Sequence, residues 1–121
     1  MRKPAKLVAA VSSVAMLLGA MAMTPNIAVA ESLVEQGKKI AEDRKKGNCF
    51  TCHDYKGAQL AGNVGPPLVA MQARFPDKAK LRAQVWDATA VNKESLMPPF
   101  GRHEVLSDKE IDQIVEWLYT L

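Results

Sequence analysis

Apolar residues recur at helical spacing in three stretches of the chain and at strand spacing in none. From Ser32 onward, Leu33, Val34, Ile40 and Ala41 mark one face and Glu35, Lys38, Lys39 and Glu42 the other, which predicts an amphipathic first helix. Gly37 lies inside it, where a glycine costs helix stability, so the position suits the close approach of another helix. The last stripe is the strongest. Ile111, Ile114, Val115, Leu118 and Leu121 follow at spacings of three and four behind Ser107 and Glu110, which form an S-x-x-E capping box. The two terminal helices should therefore cross, with Gly37 at the contact, and Trp117 is read as rim packing beside the stripe. Between them, Pro76 and Asp77 open a third helix with Leu81, Val85 and Ala88 on one face, closing around Asn92. Trp86 lies off that face, toward a cofactor or a partner. Residues 54–68, with Gly57, Gly62, Gly65, Pro66 and Pro67, read as loop. The fold class is all-α.

The first thirty residues have a different pattern. Arg2, Lys3 and Lys6 run into an apolar stretch from Leu7 to about Met23 and then into Ala28-Val29-Ala30, the layout of a secretory signal cleaved after Ala30. A membrane anchor fits less well, because Ser12, Ser13 and Gly19 interrupt a run short of the roughly 20 apolar residues a spanning helix needs. The division expected is thus 1–30 as signal peptide and 31–121 as one working domain, exported to the periplasm with no stable membrane anchor.

Removing the leader changes the charge. The whole chain carries a formal +3, but all three basic residues of the leader leave with it, and thirteen basic residues then face thirteen acidic ones. A neutral domain argues against nucleic acid, which demands a concentrated basic face. At 91 residues the domain is also small for a self-sufficient core.

The candidate chemistry sits just after the first helix. Cys49-Phe50-Thr51-Cys52-His53 is a C-x-x-C-H sequence, the attachment signal of a c-type haem, and Cys49 and Cys52 are the chain's only cysteines. The spacing has a chemical reason: two thiols three positions apart on one helical turn reach the two vinyl groups of a porphyrin, and the next residue offers an imidazole to the iron. A thioredoxin-like dithiol would not need His53 and expects a βαβ neighbourhood, and a zinc ribbon needs a second ligand pair. One motif implies one covalently attached haem c per chain.

A sixth iron ligand must then come from Met71, Met97 or His103. Met97 precedes Pro98 and Pro99, which stiffen the backbone between two helices and can hold a side chain at fixed geometry. Met71 reads as core filling, and His103 as a surface histidine in a turn.

These features together resemble the class I cytochromes c: C-x-x-C-H, then Gly65-Pro66-Pro67-Leu68, then Met-Pro, then a capped last helix, over essentially all of residues 31–121. The resemblance implies crossed terminal helices around one covalently bound haem, with His53 and Met97 as axial ligands and the Pro66 carbonyl accepting a hydrogen bond from His53 Nδ1. Within that class, Gly62-Asn63-Val64-Gly65-Pro66-Pro67-Leu68, Arg74-Phe75-Pro76-Asp77, Trp86-Asp87-Ala88-Thr89 and Met97-Pro98-Pro99-Phe100-Gly101-Arg102-His103 look like the SoxX family. That likeness implies a subunit of the periplasmic SoxAX complex of bacterial sulfur oxidation. A SoxA-type cytochrome c partner would join thiosulfate to a carrier-protein cysteine as an L-cysteine S-thiosulfotransferase, while this chain takes up the electrons and passes them to a downstream cytochrome acceptor. With both cysteines consumed by haem, no thiol remains here for catalysis, so no catalytic residue is assigned. The competing readings are a freely diffusing cytochrome c serving a terminal oxidase, and a peroxidase or gas sensor with an open sixth position. For a partner surface, the stretch from Pro98 to His103 offers Phe100 as an apolar anchor and Arg102 beside it; the competing assignment packs Phe100 on the porphyrin and pairs Arg102 with a propionate.

Overall fold

The computed structural model describes residues 31–121, so the expected leader lies outside the described residues. Four α-helices form within them: α1 at Leu33–Glu42, α2 at Met71–Arg74, α3 at Lys78–Trp86 and α4 at Asp108–Leu118, and among the described residues there is no strand. Short 3₁₀ turns follow α1 and α3, at Cys49–Thr51 and Ala88–Ala90.

Both terminal helices begin on reciprocal caps. Ser107 accepts from the Glu110 N–H while Glu110 accepts from the Ser107 N–H, and Ser32 and Glu35 repeat the arrangement at α1. The second box was open to view in Ser32-Leu33-Val34-Glu35. α1 and α4 pack directly on each other, and Gly37 is buried at their contact. A Cβ there would overlap the Gln113 carbonyl, so the glycine is a matter of space between two backbones. Beside it, the Gln113 side-chain amide donates to the Gln36 side-chain oxygen, which satisfies both polar groups at the crossing.

The core gathers around α4. Ile111, Ile114, Val115 and Leu118 are at most 5% exposed, joined by Leu81 and Val85 from α3 and by Met71 from α2. Trp117 corrects the rim assignment: it is 3% exposed and meets the Tyr55 ring edge-on at a centroid distance of 5.1 Å. α4 has a wider apolar face than a strict stripe because helices cover it from two sides. Leu121 lies past the helix end and its carbonyl accepts from the Met71 N–H at 3.0 Å, tying the chain terminus to α2. Between α3 and α4 the seam is charged: Lys78 pairs with Glu116 at 2.9 Å, and Arg82 pairs with Asp112 at 2.6 Å and with Asp108. Such exposed pairs add about 0 to 1 kcal/mol each.

α3 ends at Trp86 rather than near Asn92. Asp87 takes an extended backbone, and its carboxylate accepts from the N–H and hydroxyl of Thr89, a local alternative to the helical bond. Ala88, expected on the helical face, is nevertheless fully buried in the 3₁₀ turn that follows.

Two predictions concern this frame. Gly37→Ala forces the crossing helices apart and should lower stability by about 1 to 3 kcal/mol, read as a lower guanidinium midpoint at unchanged slope. Lys46 beside Glu110, with the Ser107 backbone bond, holds the Glu110 carboxyl down to about 2. A depressed carboxyl contributes stability that is full above its ordinary range near 4.5 and lost as pH falls through its folded value. Glu110→Gln keeps the capping geometry and removes the charge. The wild type should be the more stable of the two above pH 4.5, and thermal melts should show that advantage vanishing as pH drops toward 2.

Candidate haem site

The C-x-x-C-H segment folds into one tight turn. The N–H groups of Cys52 and His53 both donate to the Cys49 carbonyl, at 3.2 and 2.9 Å, so both cysteines and the histidine fall within a single helical turn. Asn48 opens it in the left-handed region at φ 47°, and its side chain accepts from the Thr51 hydroxyl at 2.7 Å. Gly47 sets the turn against α1, its N–H donating to the Ile40 carbonyl at 3.1 Å with no room for a Cβ beside it. The motif is thus placed by the helix that precedes it.

The loop after the motif is laced back onto it by three backbone bonds. Gly62 donates to the Phe50 carbonyl at 2.8 Å, Gly65 to Cys52 at 2.8 Å and Leu68 to Asp54 at 2.7 Å. With those fixed, the Pro66 carbonyl stands 2.7 Å from His53 Nδ1. A carbonyl can only accept, so Nδ1 carries the proton, and the tautomer this selects has its lone pair on Nε2. Gly65 lies under the imidazole so closely that a Cβ would overlap the ring. The glycine just before Pro66 was the sequence signal for this contact, and the sequence reading gave it no role.

Cys49 and Cys52 are free thiols, both half-buried. Burial pushes the Cys49 thiol up to about 11. That is the opposite of the depressed thiol of a dithiol oxidoreductase. Next to this turn Tyr55 donates to the Glu42 carboxylate, and burial and that carboxylate drive its hydroxyl far above the usual phenol range.

Met97 reaches the domain from the other end of the chain. It is half-buried and packs against the core cluster, and its N–H donates to the Ser95 hydroxyl at 3.2 Å. Met71 is 2% exposed within the core, as expected, and His103 is exposed. The expected partner surface needs correction: Phe100 is 7% exposed and belongs to the core, so it is no apolar anchor, and Arg102 pairs with Asp87 at 3.3 Å. Phe100 is drawn inward because the N–H groups of Val105 and Leu106 both return to its carbonyl, at 2.9 and 3.1 Å, curling the segment onto the core. Trp86, half-buried, covers Gly101.

The donor set fits a c-type haem. The site offers two unpaired thiols, an imidazole fixed through Nδ1 with Nε2 available, and a thioether on a separate segment. Large apolar side chains stand exposed on the same stretches: Leu60 at 94%, Val64 at 63% and Leu96 at 81%. Side chains of this size on the segments that carry His53 and Met97 are suitable cover for an apolar porphyrin.

Helices without strands, crossed at a glycine and followed by a C-x-x-C-H turn, make this a class I cytochrome c fold. Residues 32–118 match the family described as cytochrome C oxidase, cbb3-type, subunit III, and the chain belongs to that family, which implies haem c as its cofactor. The crystal structure of SoxXA from P. pantotrophus is similar to it at 25% identity with a TM-score of 0.64, covering 71% of this chain and 79% of that one. The protein is accordingly a SoxX-like cytochrome. An uncharacterized lipoprotein of Aquifex aeolicus (strain VF5) is 33% identical over 76 residues, which span 62% of this chain and 37% of that relative. The chain thus accounts for little more than a third of that relative's length.

The geometry of the turn generates one prediction. In a Cys49→Ser, Cys52→Ser double variant, haem should be lost on acid-acetone extraction, whereas the unmodified protein should retain it. Retention by the double variant would exclude thioether attachment at this turn.

Proposed function

We propose that this chain is a periplasmic electron-transfer subunit carrying one haem c, paired with a SoxA-type cytochrome and accepting electrons released when thiosulfate is joined to a carrier-protein cysteine. The observation that carries this reading is the His53–Pro66 bond beside the C-x-x-C turn. It presents one ring nitrogen of fixed tautomer next to two thiols, and it occurs in a fold shared with SoxXA.

In this reading Cys49 and Cys52 would tether the haem as thioethers, and His53 Nε2 and the Met97 sulfur would ligate its iron. The haem supplies a one-electron couple, and methionine ligation favours a high potential suited to an acceptor. The protein's own residues orient, enclose and exclude. Pro66 and Gly65 fix the imidazole plane, and Met97, as an iron ligand, would leave no open position for a substrate or gas. The chain keeps no free thiol in this state, so sulfur chemistry belongs to the partner. Residues 1–30 export the chain to the periplasm, where the haem is attached. A downstream cytochrome then collects the electrons.

A second reading is a freely diffusing shuttle to a terminal oxidase, the kind of enzyme that the family's description names. The balance of thirteen basic and thirteen acidic residues after removal of the leader favours a standing complex, because a neutral domain gains little long-range steering.

Ligation and partnership are tested together. Met97→Ala should abolish the far-red charge-transfer band of ferric thioether ligation and lower the reduction potential, while Met71→Ala should keep the band and cost about 2 to 5 kcal/mol in stability. The purified holoprotein should co-migrate with a SoxA-type subunit on size exclusion, and thiosulfate should reduce it only when that subunit and its carrier protein are present. Absence of any complex would hand the role to the diffusing shuttle.

A further inference from the structure

The segment that carries Met97 is fastened mainly on one side. Upstream its hydrogen bonds are local, from Ser95 N–H to the Asn92 carbonyl at 3.0 Å and from Met97 N–H to the Ser95 hydroxyl at 3.2 Å, and Leu96 is 81% exposed. Downstream the chain is clamped to the end of α3. The N–H groups of Gly101 and Arg102 both donate to the Trp86 carbonyl, at 3.0 and 3.4 Å. The Trp86 ring lies on Gly101 with no space for a Cβ, and the Arg82 guanidinium sits 5.6 Å from the centre of that ring.

The next residue completes the clamp. One carboxylate oxygen of Asp87 accepts from the Thr89 N–H at 3.0 Å and from its hydroxyl at 2.5 Å, which fixes the rotamer. The other oxygen is thereby aimed at Arg102 Nη1, 3.3 Å away. The Asp87 side chain is only 12% exposed, so this pair is better shielded on its acidic side than the pairs along the α3–α4 seam. Because the carboxylate is oriented by Thr89 before Arg102 meets it, the ordering cost left to the ion pair is that of the arginine alone.

We propose that Arg102, through Asp87, is a positioning residue for Met97: the pair holds residues 97–102 against the end of α3 and sets how often the Met97 sulfur leaves its place. The proposal rests on Met97 as the distal ligand. On this proposal residues 97–102 swing as one unit about the loosely held upstream side, so that moving Met97 away breaks the two Trp86 bonds and the ion pair together. An external ligand that takes the place of Met97 binds only the opened molecules, so its apparent affinity measures the open fraction.

The test titrates imidazole into the ferric holoprotein. Arg102→Gln should keep the charge-transfer band without imidazole and bind imidazole about five-fold more tightly, the scale of one partly shielded pair. Arg102→Lys should restore most of the difference. A purely structural role would shift the denaturant midpoint and leave imidazole affinity untouched, and that result overturns the proposal. Met97→Ala separates the two readings. If it keeps the band, the ligand assignment fails and the proposal with it; if it loses the band while Arg102→Gln binds imidazole like the wild type, the ligand assignment stands and the clamp fails. Should Arg102→Gln not accumulate with haem, amide exchange in the unmodified holoprotein decides. The Gly101 and Arg102 amides should exchange with those of the last turn of α3, and exchange at the rate of exposed loop amides would refute the clamp.

Discussion

Everything in this domain hangs on two backbones touching where α1 crosses α4. With Gly37 against the Gln113 carbonyl, the helices approach to a distance no side chain would permit. The end of α1 is then fixed relative to α4, and ten residues on from Gly37 the chain turns at Gly47 into the C-x-x-C-H segment. That closeness brings Tyr55 onto Trp117 and lets Lys46 reach Glu110, so the start of the motif and the cap of the last helix share a carboxylate. The position of His53 is therefore a consequence of helix packing whose partner, Gln113, is encoded sixty residues further on.

The terminal helices were legible because the apolar period agreed with a local signal in each, the glycine in α1 and the capping box in α4. The motif was legible for a different reason: its chemistry needs adjacent residues, so it survives in one dimension. What the sequence hid were contacts made by groups without a distinctive side chain, or by one side chain with two plausible fates. Asp87 looked like part of a continuing helix, and only the position of Thr89 shows it breaking away. Phe100 and Trp117 looked like surface aromatics because periodicity registers one neighbouring element at a time, whereas both are enclosed from several sides. The short helix α2 has four residues, too few for any period to show.

The charged groups obey the same division of labour. The ion pairs along α3 and α4 lie on exposed surface and tune the seam without deciding it. Carboxylates that also act on the backbone carry more, as Glu110 does at the α4 cap and Asp87 at the 3₁₀ turn. A small domain with a core built around one helix depends on such double use, since it lacks the buried area to dispense with it.

The partner of the His53 ring is a peptide carbonyl, and this has a consequence for how the site tolerates change. Had a glutamate or asparagine held the imidazole, one substitution would delete the orienting group. The Pro66 oxygen belongs to the main chain, so mutation can shift it but never erase it. It also belongs to the amide joining Pro66 to Pro67, which has no hydrogen to offer a competing acceptor. The ring's orientation is thereby entrusted to the path of the backbone, and drift in the surrounding side chains, Gly65 excepted, can proceed without disturbing it.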